Sequence, residues 1–183
     1  MRTVIGITGA SGAIFGVEFV RRCPGEKYLI LTRWGRYVLK EETGLTEPHL
    51  AEHVKHRFSD EDLAAPFASG STPFDALVIL PCSVSTMAKI ACGLGDTLLT
   101  RAAQVALKER RTLIIGLRET PLSTIALEQA HRLSLAGAVI MPVAPPFYHA
   151  PKTLDEMVGQ FVEKVLGVLG VSTAPAWRAE ALE

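Results

Sequence analysis

The sequence predicts a doubly wound α/β domain, a mostly parallel sheet with helices on both faces. Three observations carry this. Short, continuous apolar runs alternate with amphipathic helical stretches along nearly the whole chain, the pattern of buried parallel strands joined by crossover helices. The first of these runs turns through Gly9-Ala10-Ser11-Gly12 directly into a helix. Finally, 183 residues, 48% of them hydrophobic and 21% charged, suit one domain. A chain of that size buries about 70% of its unfolded surface and needs no metal or disulfide to hold it.

Taken in order, Thr3 to Thr8 reads as a buried strand and the glycine loop leads to an apolar-striped helix ending near Pro24. A β-rich run from Tyr28 to Thr32 precedes a helix reaching about Thr43, and Pro48 opens an irregular polar section extending to Pro73. Phe74 to Leu80 is the most hydrophobic strand candidate. Beyond Pro81, Cys82-Ser83 forms a turn and cap for a helix from about Val84 to Ala91, and a second helix runs from Thr97 to Arg110. A strand over Thr112 to Leu117, a helix over Ser123 to Leu135, a strand over Ala138 to Met141 and a helix over Leu154 to Leu169 complete the alternation. Residues 1–172 are read as a single domain and 173–183 as a C-terminal tail.

Composition narrows the function. Nineteen basic residues against nineteen acidic ones argue against a nucleic-acid or anionic-membrane surface protein. The high apolar fraction suggests surface buried between subunits. Cys23, Cys82 and Cys92 are odd in number and form no CxxC pair, which fits a reducing, cytoplasmic setting better than a disulfide framework or zinc ribbon. Gly6, Gly9 and Gly12 interrupt the apolar start, so it is not read as a secretory signal. The apolar stretch from Ala76 to Ala88 is shorter than the roughly 18 residues of a spanning helix, and no membrane insertion is expected.

In a doubly wound fold, ligands bind beyond the carboxyl ends of the strands. Gly9-Ala10-Ser11-Gly12 there suits an anion, since small residues let backbone amides approach a phosphate and the helix start adds a favourable dipole. A tight structural turn is the plain alternative. The spacing is not GxGxxG, and Thr32-Arg33 stands where an acidic residue would hold an adenosine ribose, so a mononucleotide fits better than NAD. No GK[ST] loop, HExxH or G-x-S-x-G elbow is present. Ser83, Val84, Ser85 and Thr86 offer hydroxyls and amides at a second strand-to-helix junction, or simple capping. Arg101 and Lys108 fall seven apart on one helix, as solvated charges or an anion clamp. Arg118-Glu119 follows a buried strand, and Glu119 is the preferred acid/base residue, its alternative a structural ion pair. His49, His53 and His56 would stack on one helix face like metal ligands, although a solvated face is the favoured reading.

Together the blocks GITGASGAIFG, ILPCSVST, LLTRAAQVALKERR, LRETPLS and GAVIMPVAPPFYHAPKTLDE resemble, in content and order, the flavin prenyltransferase family of the UbiX type. The resemblance spans roughly Thr3 to Leu169. It implies a Rossmann-like flavoprotein of the HFCD kind that assembles as a homo-oligomer, a dodecamer in the family, with sites shared between subunits. It also implies metal-independent transfer of a dimethylallyl group from dimethylallyl phosphate to N5 and C6 of reduced FMN. The prenylated FMN serves UbiD-type decarboxylases, including one of ubiquinone biosynthesis.

By motif, the resemblance assigns Gly9, Ala10, Ser11, Thr32, Ser83, Val84, Ser85, Thr86 and Arg101 to the flavin. It assigns Ser69, Gly70, Lys108, Arg118, Glu119, Tyr148 and Lys164 to the prenyl phosphate. Tyr148 and Lys164 are expected from an adjacent subunit, and Ser11, Lys108 and Glu119 to act in catalysis. The chemistry is coherent: a leaving phosphate needs fixed cations and donors, and a developing allyl cation needs a dry apolar or aromatic cage. The chain departs from the family at Leu63 and Phe15, where other members carry an aromatic and a tyrosine, at Thr32 for a serine, and at Lys164, an arginine in some relatives. Trp177 is an aromatic available to cover the site. Two alternative readings are an FMN-dependent cysteinyl decarboxylase, which would want a PASANT-like segment where Pro81 to Thr86 stand, and a catalytically silent FMN-binding protein, which would lose the phosphate clamp.

Overall fold

The computed structural model describes residues 1–147 and 150–172. Six strands alternate with helices: β1 (Arg2–Ile7), α1 (Ala13–Arg22), β2 (Glu26–Leu31), α2 (Arg33–Thr43), β3 (His56–Ser59), β4 (Ala76–Cys82), α3 (Val84–Ala91), α4 (Leu98–Lys108), β5 (Thr112–Leu117), α5 (Thr124–Leu135), β6 (Val139–Pro142) and α6 (Leu154–Val168). They form one sheet in the order β3-β2-β1-β4-β5-β6, and every pairing is parallel. The direction of winding reverses between β1 and β4, which puts the ligand crevice of such a fold beyond the carboxyl ends of those two strands.

Strand alternation divides the core in two. Val4, Leu77, Ile79 and Ile115 face one layer with Leu98, Ala102 and Ala106 of α4, whereas Ile5, Ile7, Val78 and Leu80 face the other with Val17 of α1 and Phe161 and Val165 of α6. Both layers are fully buried along the central strands, as the continuous apolar runs require.

The polar section is more ordered than its composition suggests. It holds 3₁₀ turns at Glu47–His53 and Pro66–Ala68 and the short strand β3, whose residues are mostly exposed. An edge strand of that kind has no apolar run to announce it. His49 caps the first turn, its Nδ1 accepting the Thr46 amide at 3.0 Å, and His56 belongs to the strand, so the three histidines do not share a helix face. Among the described residues no group of three His, Cys, Asp or Glu is placed to hold a metal ion. No described helix is long and apolar enough to cross a membrane. The expected tail falls outside the described residues.

Helix α2 departs from the usual crossover. It begins at Thr32, at the end of β2, yet its last turn delivers Glu42 to the start of α1, so both of its ends lie at the carboxyl edge. Gly35 and Leu39 are its buried residues. The helix therefore lies across the edge of the sheet, a course that periodicity does not reveal.

Candidate active site

Backbone and hydroxyl bonds stitch the strand ends together. The buried Thr8 hydroxyl donates to the Pro81 carbonyl at 2.9 Å and accepts the Ser83 amide at 2.8 Å, so β1 and the start of α3 are fixed to each other at the switch point. Arg118 donates its amide to Cys82 O at 3.0 Å, tying the end of β5 to that of β4. Thr32 caps α2 by accepting the Gly35 amide at 3.0 Å, and Ser83 caps α3 by accepting that of Thr86 at 3.2 Å. Three helix starts, those of α1, α2 and α3, thus gather at one edge and concentrate positive dipole there.

Two hollows flank the glycine loop. One, of about 460 Å³, is lined by Gly9, Thr32, Arg33, Ser83, Ser85 and Thr86 among others. It is the polar side, and its hydroxyls and helix starts fit a ribityl phosphate. The other, about 760 Å³, has Ser11, Gly12, Glu42 and Arg118 at its polar end and Phe15, Leu45, Val143 and Met157 among its apolar walls. Phe15 stands edge-on to Phe161 with ring centroids 5.3 Å apart, so the residue that replaces a tyrosine is held in an aromatic pair.

The carboxylate at the centre is Glu42. It accepts the amides of Gly12 at 2.8 Å and Ala13 at 2.9 Å and bonds the Ser11 hydroxyl, with Arg118 nearby. Burial opposes its charge, but those three bonds and the Arg118 field outweigh it, and the carboxyl titrates below its ordinary range. The start of α1, expected to receive a phosphate, is therefore taken by a carboxylate of the chain itself. Sequence reading missed Glu42. The acidic pair Glu41-Glu42 after Lys40 at the close of a helix was the available signal, but only the transverse path of α2 gives it meaning.

The expected residues divide between the two ends of the sheet. Gly9, Ala10, Ser11, Thr32, Ser83, Val84, Ser85, Thr86, Arg118 and Glu119 all lie at the carboxyl edge. Glu119 is exposed there, its own Oε1 accepting the Thr120 amide at 3.0 Å. Arg101 sits one turn into α4 and donates to the Ala68 carbonyl at 3.0 Å. Lys108 ends α4, pairs with Glu109 and lies against Gly70, beside Ser69. Arg111, the residue before β5, donates to Gly70 O at 2.7 Å, which fixes this group at the amino edge of the sheet. Lys164 also lies toward that edge, next to the Glu163 that faces Arg22 at the end of α1. Tyr148 and Trp177 lie outside the described residues, and Leu63 is half exposed on the loop after β3. Cys82 is buried and its thiol is pushed far up by that burial, so it offers no thiolate to the site.

The family model described as Flavoprotein matches residues 1–165. The flavin prenyltransferase UbiX of Thermoplasma acidophilum is 44% identical over 172 residues, covering 93% of this chain and 96% of that protein. Among solved structures, AnUbiX in complex with FMN and dimethylallyl pyrophosphate superposes with a TM-score of 0.93 at 35% identity, covering 97% of each chain. A dodecameric FMN-dependent Ubix-like decarboxylase from Escherichia coli O157:H7 also gives 0.93, at 37% identity, covering 98% of this chain and all of that one.

Proposed function

The chain belongs to the flavin prenyltransferase family of the UbiX type, and from that premise we propose that it transfers a dimethylallyl group from dimethylallyl phosphate to reduced FMN. The observation that carries this is the pair of hollows on either side of the glycine loop, a mononucleotide-sized polar one and a largely apolar one that Ser11, Glu42 and Arg118 help to line. Thr32, Ser83, Ser85 and Thr86 hold the ribityl phosphate end, with Arg101 one turn behind them on α4. Reduced FMN, when bound, supplies N5 and C6 as the two acceptor atoms.

The chain's own residues supply the rest. Breaking the allylic C–O bond leaves charge on the phosphate, which Arg118 meets at this edge. Phe15, Leu45 and Met157 line an apolar wall for the allyl group, which suits a developing cation because water there would capture it. Glu42, ionised at neutral pH and bonded to Ser11, accepts and relays the proton released as the second bond forms. Glu119, next to Arg118 in the chain, is assigned to protonating the departing phosphate.

Ser69, Gly70, Lys108 and Lys164 lie too far toward the amino edge to reach their own chain's site, so each serves the site of another copy in a homo-oligomer, a dodecamer on this reading. Tyr148 is assigned in the same way. A UbiD-type decarboxylase is the proposed recipient of the prenylated flavin, and the cytoplasm the proposed location. Anaerobic incubation with reduced FMN and dimethylallyl phosphate, then mass spectrometry of the released flavin, tests the activity. A gain of one isoprenyl unit is expected. Bound but unmodified FMN, with the diphosphate also tried, would overturn the reading.

A further inference from the structure

We propose that Arg33, held in place by Trp34, is the residue that selects the phosphorylated flavin, so that FMN is bound in preference to riboflavin. The proposal rests on the flavin reading above and on three features of the polar hollow. The first is that the start of α1 is closed to a phosphate, because the Gly12 and Ala13 amides are already bonded to the Glu42 carboxylate. An incoming anion there would face a like charge. The phosphate is directed instead to the other side of the loop, where α2 and α3 begin and where Arg33 is the first residue of its helix.

The second feature is the charge census of that hollow. Lys89 is committed to Asp96 at 2.7 Å, and Asp60 to the α4 start, where its Oδ1 accepts the Leu99 amide at 2.9 Å. Among the described residues no acidic group pairs with Arg33. It is the cation of the hollow whose charge is not already matched.

The third is how Arg33 is held. Its guanidinium carbon lies 5.5 Å from the centroid of the Trp34 ring, and that ring stands edge-on to Tyr37 at 5.9 Å. Trp34 is 61% exposed, yet its position is set by backbone: a Cβ on Gly9 would fall 2.5 Å from the Trp34 Cβ, so only glycine lets the loop and the helix close together. Contact with a ring face restrains the guanidinium without using its N–H donors, which can meet a phosphate with two parallel bonds. Trp34 acts as a positioning residue for Arg33.

Riboflavin carries the same ring and ribityl chain without the phosphate, so comparing the two flavins isolates this contact. Fluorescence titration of the full chain with FMN and with riboflavin is the test, on the unaltered protein and on Arg33→Ala, Arg33→Lys and Trp34→Leu. Arg33→Ala is expected to weaken FMN about tenfold or more while riboflavin stays within about twofold. Arg33→Lys should recover part of the loss, and Trp34→Leu should give a smaller loss confined to FMN. FMN affinity of the unaltered protein should also fall more steeply with salt than that of Arg33→Ala. Equal weakening of both flavins, or no weakening by Arg33→Ala, would overturn the assignment while leaving the flavin site standing. Failure of the unaltered protein to bind either flavin would instead remove the flavin reading and the proposal with it.

Discussion

Glu42 reaches across 30 residues of sequence to accept the amide of Gly12 at 2.8 Å, placing a carboxylate against the loop that also carries Ser11. The contact gives the glycine loop a second purpose: its amides steady a base rather than a ligand. If that base handles a proton in the transfer, Glu42→Gln should keep FMN and lose about a hundredfold or more in rate, the usual scale of general acid–base assistance. Single-turnover prenylation followed by mass spectrometry measures this. An unchanged rate with bound FMN would take Glu42 out of the mechanism and return the role to Glu119.

Much of this architecture is legible in the residues alone. Continuous runs such as Leu77-Val78-Ile79-Leu80, closed by Pro81, read as strands buried on both faces, and Ser83 and Thr32 mark helix starts by their capping chemistry. What escapes is whatever depends on direction in space. His56 to Ser59 is a strand because β2 supplies its partner, not because its own residues favour one. Glu42 and Thr8 acquire roles through contacts 30 and 75 residues away. Lys108 reads as a neighbour of Arg101 on one helix, although that helix carries the two toward opposite edges of the sheet.

Thr8 offers a test of how firmly the switch point is tied. Its hydroxyl is almost fully buried and bonds both Pro81 O and Ser83 N. Thr8→Val keeps the shape and leaves Pro81 O its bond from the Thr8 amide at 3.2 Å, but strands the Ser83 amide, at a cost of about 1–3 kcal/mol. Denaturant unfolding should show that loss and flavin titration a weaker site, since the start of α3 is released. Thr8→Ser should restore both. A Thr8→Val protein as stable as the original would mean that water replaces the hydroxyl.

Gly35 tests the transverse seat of α2. An added Cβ would stand 2.2 Å from the Ile7 carbonyl oxygen, a backbone atom that cannot step aside without moving β1. Alanine favours helix by about 1 kcal/mol over glycine, but overpacking costs about 1–3 kcal/mol or more, so the clash wins. Gly35→Ala should lower the midpoint of thermal unfolding by several degrees and weaken FMN binding together. A rise in the midpoint would show that α2 can slide.

Acid should act in part through the amino edge. Lys55 and Arg2, with the Tyr28 hydroxyl, hold the Glu26 carboxyl down to about 2 from an ordinary 4.5. A depressed carboxylate stabilises the fold above its ordinary range, and this contribution fades as pH falls from about 4.5 to about 2. The group is solvent-exposed, so its effect is modest and screened by salt. Thermal midpoints of the unaltered protein and Glu26→Gln should differ at pH 6 and converge by about pH 2–3. A constant difference across that window would place the effect in packing rather than charge.

Lys108 and Glu42 provide the sharpest test of site sharing, because one lies at each edge of the sheet. The eleven residues of α4 span about 16 Å at 1.5 Å per residue, and the helix starts near Asp60 at the carboxyl edge and ends with Lys108 against Gly70. No side-chain rotation closes such a gap. If Lys108 completes another subunit's site, Lys108→Ala and Glu42→Gln proteins should each be nearly inactive alone. Co-assembled in equal amounts, they should recover activity toward about a quarter of the unaltered rate, since that fraction of sites draws both intact residues. Verified mixed oligomers with no recovery would mean that Lys108 and Glu42 serve the same chain's site, and the division between the two edges would then have to be bridged by movement within one subunit.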